Sequence, residues 1–377
     1  MSNWSGVTTT CLISLMAWPA LKLQQRFADR TKPDMQAFGG YALFFTFVFL
    51  LKWLLPMDAK PKTDENVNII GRGVLYYTCG LFSFTSVMSF IFYLDKMGFV
   101  KGYIDMYLES GERYFNTSTG TLLLLWDFMV HLSLYITIIY YIDNKKDCRN
   151  LVIYWGCTMM TSVFTLLIAA MSGSYGTEMH SGSWLNIPYV TSSIYFLLKF
   201  LTQPRYFPKY KTYCKDKPNL IDVFLALGLA VGLIFNFVRG LSSLNSPFPL
   251  AQLYALEYEP YILHPTNLGR AWMLFMLFCG SFLQVVLIFG LFQTNASWML
   301  DWSIVYTAVT CHGVYVHLIP QFCPGVENIY HIPVDHTAFV IAANIFVPFV
   351  ALATMLRSFS IVADVKKEDD IQTYKTD

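Results

Sequence analysis

Apolar residues in this chain gather into ten long runs, at about 4–21, 37–56, 73–95, 119–142, 152–172, 184–201, 220–240, 270–292, 300–320 and 337–359. Polar or Pro/Gly-marked breaks separate them. About 20 apolar residues cross about 30 Å of hydrocarbon as a helix rising 1.5 Å per residue. Lipid offers no hydrogen-bond partner to the backbone, so each run must close its own bonds, which a helix does and an isolated strand does not. The pattern therefore predicts an all-α polytopic membrane protein with ten spans. The segment before the first run, MSNWSG, carries no basic residue, and Pro19 is followed by Lys22 rather than a small-x-small site. This predicts a retained span and not a signal peptide.

Composition agrees: 55% of residues are apolar and 14% charged, with a mean hydropathy of +0.44. Soluble domains carry about 25% charged residues. The net charge of +1 gives no support to a nucleic-acid partner. In a ten-span topology the side holding both termini collects 17 Lys and Arg and the other side 9. By the positive-inside rule both termini are cytosolic. The segment 202–219 is a basic cytosolic linker, and 360–377 reads as a charged cytosolic tail. No CxxC pattern occurs among the eight cysteines, so neither zinc nor a disulfide framework is expected. Of the two sequons, Asn116-Thr117-Ser118 abuts a span and Asn295-Ala296-Ser297 falls on the cytosolic side, so neither is expected to carry glycan.

The chain also repeats itself. Residues 107–114 read YLESGERY and 254–261 read YALEYEPY, so Tyr107, Glu112 and Tyr114 meet Tyr254, Glu259 and Tyr261 at an offset of 147. Trp155 meets Trp302 at the same offset, and Ile187-Pro188 is echoed by Ile332-Pro333 with a slip of two. The organisation predicted is two N-terminal spans (1–70), a four-helix unit (71–201), the linker, a second four-helix unit (220–359) and the tail. Four helices is an even number, so the repeat is parallel, unlike the inverted repeats of many transporters.

Ionisable groups at membrane depth are costly, which makes them functional candidates. In LLLLWDFMVHLSLY, Asp127 and His131 lie four apart and share a helical face. They can share a proton or meet a polar ligand, or they can simply fix helix packing. Asn186, Asn236, Gln284, His312, His317 and Asn344 are further deep polar residues, for which interhelical hydrogen bonding is expected. His312 and His317 are five apart, about 140° around a helix, so no shared metal is expected. Glu109, Glu112, Glu257 and Glu259, with Tyr107, Tyr114, Tyr258 and Tyr261, fall on loops at the bilayer edge. There they would serve as interface anchors or cap a lipid site. No HExxH, GxSxG, P-loop or dinucleotide motif is present.

Several local strings carry a family resemblance: Trp126-Asp127 with Val130-His131, Arg149-Asn150 before Tyr154-Trp155, Ile187-Pro188-Tyr189, Gln203-Pro204-Arg205, Arg239-Gly240-Leu241, Tyr258-Glu259-Pro260-Tyr261, Asp301-Trp302, and Gly313 with His317-Leu318. In order and spacing from about 73 to 357 the chain resembles the transmembrane 6 superfamily, whose members hold two tandem EXPERA domains behind two N-terminal spans. Residues 1–70 match only in being two spans. EXPERA domains also build the emopamil-binding sterol isomerase and the sigma-two receptor, whose cavities hold a sterol or a cationic amphiphile. In the isomerase an acid on the second helix works with a His and a Glu on the first. Asp127 falls at the acid position, and with Cys79-Gly80 as register the other two positions are Ser83 and Val87. Neither can move a proton at neutral pH. At an offset of 147 the second unit places Leu274 opposite Asp127.

The resemblance implies a protein of the endoplasmic reticulum and the ER–Golgi intermediate compartment that influences triglyceride content and lipoprotein secretion. It would bind a sterol or fatty acyl lipid, need no cofactor or metal, and act beside lipid-processing membrane proteins. Candidate ligand contacts are Trp126, Asp127, His131, Glu112, Tyr114 and Asn186, with Glu259, Tyr261 and His317 in the second unit. The alternatives are an isomerase-type enzyme using Asp127 and His131, and a lipid transporter.

Overall fold

The structure, a computed structural model, describes residues 6–27, 33–54, 69–110, 112–174, 181–203, 205, 211–213, 218–294 and 296–364. It is helical almost throughout. In chain order the helices are α1 (Gly6–Ser14), α2 (Ala17–Phe27), α3 (Pro33–Leu54), α4 (Ile69–Lys96), α5 (Asp105–Ser110), α6 (Ser118–Trp126), α7 (Leu132–Asp143), α8 (Arg149–Ser172) and α9 (Ile187–Thr202). The second half continues with α10 (Leu220–Ser243), α11 (Pro249–Leu253), α12 (Leu268–Phe275), α13 (Ser281–Phe292), α14 (Met299–Leu318) and α15 (Thr337–Ser360). The extended segments β1 (Lys211–Tyr213) and β2 (Val362–Asp364) pair antiparallel, which ties part of the linker to the end of α15.

Among the described residues seven stretches are long and apolar enough to cross a membrane. They are Gly6–Arg26, Gly73–Lys96, Ser118–Asp143, Arg149–Leu167, Leu220–Ser243, Leu268–Phe292 and Asn328–Ser360. The other three apolar runs form helices with different properties. The apolar part of α3 covers Phe38–Leu54 and α9 has 16 residues, both short for a bilayer. Helix α14 has 20 residues, most of them buried against α8, α13 and α15. The first run is a helix that breaks near Leu15 and resumes as α2.

The two halves use the same local devices. Helices α4 and α10 each stop at a residue in the left-handed region, Gly98 (φ 82°) and Asn245 (φ 52°), again 147 residues apart. The second helix of each half carries a π turn, at Asp127–His131 and Met276–Gly280, closed by i→i+5 bonds from Leu132 and Ser281. A π turn inserts one residue, rotates the face beyond it, and is frequent at functional sites. The turns stand 149 residues apart, so the loop ahead has lengthened by two in the second half. Met276, not Leu274, therefore takes the place of Asp127, and Gly280 that of His131.

Charged pairs bind the elements together. Asp301 on α14 accepts from Arg149 Nη2 on α8 at 2.8 Å and from Arg205 of the linker. On α10, Asp222 accepts from Arg357 on α15 at 2.9 Å. Asn236 donates to Gln284 at 2.8 Å, and Ser162 Oγ lies 2.6 Å from His312 Nε2, the interhelical role expected of those polar residues. Trp126 packs edge-on against His312 with centroids 5.1 Å apart, so the two halves meet through aromatic and polar contacts.

Candidate functional site

A cavity of about 160 Å³ lies between α2, α3 and the first unit, α4 to α9. Most of its wall is apolar, from Leu21 and Phe44 on the N-terminal helices to Phe92, Leu124, Met159 and Leu166 on the unit. Two polar clusters interrupt it.

The first is built by the π turn. Asp127 Oδ2 accepts from Ser89 Oγ on α4 at 2.9 Å, and Asp127 Oδ1 lies 3.0 Å from His131 Nδ1. Trp126 Nε1 donates to His131 Nε2 at 3.3 Å, and Thr158 Oγ1 sits 3.1 Å from the same nitrogen. The indole donor makes Nε2 an acceptor, so the ring proton resides on Nδ1 and points at Asp127. His131 is buried and Asp127 half-buried. Such a pair can present a lone pair and a movable proton to a molecule in the cavity.

The second cluster centres on Glu112, in the loop between α5 and α6. Its carboxylate accepts from Tyr107 Oη at 2.6 Å, from Tyr114 Oη and from Asn186 Nδ2 at the start of α9. Glu112 is 2% exposed, and no cation among the described residues lies within ion-pair distance. Burial pushes its pKa up to about 7, against the pull of Tyr107, Tyr114 and Asn186, which favour the anion.

Loop and helix are locked together at Gly120. Thr117 caps α6 by accepting from the Gly120 N–H at 3.0 Å, and a Cβ at Gly120 would collide with the Tyr114 carbonyl and Phe115 Cα. Backbone cannot swing aside as a side chain can. Gly120→Ala is expected to cost about 1–3 kcal/mol as an overpacked site and to shift the Glu112 loop. Gly73→Ala meets nothing within 4 Å and is expected to be neutral or slightly stabilising. Thermal unfolding of the two variants in detergent checks the contrast.

The second unit holds the equivalent carboxylate differently. Glu259 accepts from Arg239 Nη2 at 2.7 Å and from Asn344 Nδ2, with His317 Nε2 at 3.3 Å. Arg239 Nε also donates to Tyr254 Oη at 3.0 Å. Tyr261 turns away and meets Thr119 Oγ1 of the first unit at 2.6 Å.

A sequence profile described as "Transmembrane 6 superfamily member 2-like, transmembrane domain" matches residues 16–211, more than half of the chain. The chain belongs to the transmembrane 6 superfamily. Curated relatives named Transmembrane 6 superfamily member 2 include the mouse protein, 28% identical over 278 residues that cover 72% of this chain and 74% of the relative. The human protein is 27% identical over 273 residues, covering 69% and 71%. No solved structure matches. The profile begins at residue 16, so the family likeness reaches the N-terminal helices that wall the cavity as well as the first unit.

Of the candidates named from sequence, Asp127, His131, Glu112 and Asn186 line the cavity together. Trp126 and Tyr114 stand behind them, as donors to His131 and Glu112. Glu259, Tyr261 and His317 do not reach the cavity; they are engaged with one another's neighbours in the second unit. The expectation of interface anchoring fails for Glu112, Tyr114, Glu259 and Tyr261, all buried, because each tyrosine hydroxyl or carboxylate has an internal partner. Glu109 and Glu257 are exposed. Asn295 and most of the linker and tail lie outside the described residues. Ser89 and Phe92 were not singled out from sequence, and Arg239 only within the string Arg239-Gly240-Leu241. An arginine inside the 220–240 run was the available signal, since an ionisable residue in a span demands a partner.

Proposed function

We propose that this chain is a ten-span protein of the endoplasmic reticulum and the ER–Golgi intermediate compartment, with both termini cytosolic and two EXPERA-type units, the first of which binds a membrane lipid. Through that lipid it would influence triglyceride content and lipoprotein secretion. The observation that carries the reading is the cavity: an apolar wall with two buried acid clusters, Asp127–His131 and Glu112. Glu112, buried with neutral donors alone, is a cost to folding that lipid recognition would explain.

A volume of about 160 Å³ matches cavities that hold a single ring and falls below the ~300 Å³ of a typical drug-sized site. The bound lipid would therefore place only its polar end and first few carbons there. The α4 wall of the cavity presents Thr85 and Ser89, hydroxyls that add no acid or base at neutral pH, so an isomerase-type step would have to run on Asp127 and His131.

The test is photolabelling of the purified full chain with a photoreactive sterol and a photoreactive fatty alcohol. Labelling is expected within 71–201 and to fall about tenfold in Asp127→Asn, the equivalent of ~1.4 kcal/mol for one weakened charged hydrogen bond. Absence of labelling above a detergent control would refute the binding reading. Conversion of the sterol by wild type but not by Asp127→Asn would instead favour the isomerase-type reading.

A further inference from the structure

The second unit shows what the first lacks. Phe92 and Arg239 occupy the same position, six residues before the left-handed residue that ends α4 or α10. Their neighbours correspond too: Phe92 stacks on Tyr107 with centroids 5.5 Å apart, and the Arg239 guanidinium lies 5.7 Å from the Tyr254 ring. In the second unit that guanidinium reaches Glu259 at 2.7 Å. In the first unit a phenyl ring stands there, and Glu112 keeps only neutral donors. An ionised carboxylate offers about four acceptor sites. Glu112 uses three of them, on Tyr107, Tyr114 and Asn186.

We infer that the first unit selects its lipid by head-group charge: Glu112 accepts from a hydroxyl or ammonium and excludes carboxylate and phosphate heads, while Arg239 is the second unit's built-in occupant. Asp127 adds a second acid to the same cavity, and no Lys or Arg is among the described residues that line it. A carboxylate or phosphate entering would meet two acids and no cation in a water-poor space, where like charges are strongly unfavourable. Of the two corresponding carboxylates, Glu112 and Glu259, only Glu112 is thereby left open to a head group. This inference rests on the lipid-binding reading above and narrows it.

Three photoreactive probes with the same sixteen-carbon chain, ending in an alcohol, an amine or a carboxylate, test it on the full chain at pH 8. The alcohol and amine are expected to label 71–201 at least about tenfold more than the acid, and their ratio tells which donor head is preferred. Phe92→Arg places a guanidinium beside Glu112 and is expected to reduce both labels to background. Should that variant not fold, Glu112→Gln supplies the independent arm, with acid labelling expected to rise several-fold. Equal labelling by all three probes, or unchanged acid labelling in Glu112→Gln, overturns charge selection and leaves lipid binding standing. Labelling by none of them overturns both.

Discussion

Arg239→Met is expected to destabilise the protein by about 3–5 kcal/mol, the cost of leaving a buried charge without its partner. Glu259 has no exposed side-chain surface and Arg239 only 5%. Burial alone would raise the pKa of Glu259. The Arg239 charge, then the His317 and Asn344 contacts, instead hold it at about 2, so the anion persists across the physiological range. Removing the guanidinium also strips Tyr254 of its donor. If the charge imbalance is the cause, Arg239→Met combined with Glu259→Gln recovers more than half of the loss. Guanidine-free thermal unfolding of both variants, in one detergent, decides it. A single variant as stable as wild type would contradict the account of the second unit.

Glu112→Gln is expected to act in the opposite direction, stabilising the protein at pH 8. The folded chain holds the Glu112 proton up to about pH 7, whereas the ordinary value is 4.5. A raised folded value means that stability is fully present below about pH 4.5 and declines as pH rises towards and past 7. A gap of about 2.5 pH units corresponds to roughly 3 kcal/mol. The amide removes that dependence, and the Tyr107 and Tyr114 hydroxyls can turn to accept from it. Wild type and variant should therefore coincide near pH 4 and diverge towards pH 8. A variant less stable at both ends would show that Glu112 contributes packing alone. A residue that lowers stability at and above neutral pH fits a binding role better than a structural one.

Much of this architecture can be read from hydropathy, because lipid enforces helices. The runs at 73–95, 119–142, 220–240, 270–292 and 337–359 correspond to α4, α6 with α7, α10, α12 with α13, and α15. Depth and burial are harder to read. Helix α14 is long enough to span but less apolar than the seven spans, with Asp301, His312 and His317 among its residues, and it serves as an internal post. Asp127 and His131 were legible as a pair because a spacing of four survives the π turn well enough for contact. The turn itself was not, since a single inserted residue leaves no mark on composition. It appears in the i→i+5 bonds of Leu132 and Ser281, while Gly120 and Gly269, each pressed against a tyrosine carbonyl, show the offset of 149 already reached ahead of it.

The loops mislead for a different reason. Tyr and Glu at a bilayer edge are as well suited to an interface as to an interior, and only the partners decide. Asn186 and Asn344, which close over Glu112 and Glu259, come from the last helix of each unit, far along the chain. The Phe92/Arg239 difference stood in plain view once the chain was aligned on itself. It acquired meaning only with Tyr107 and Tyr254 beside the two residues.

The most direct measurement is the number of long-chain alcohol molecules retained per chain, by native mass spectrometry of the purified protein added to phosphatidylcholine vesicles doped with hexadecanol. One is expected, lost in Asp127→Asn and in Phe92→Arg while the fold persists. None in wild type, or two lost independently from the two units, would contradict this expectation.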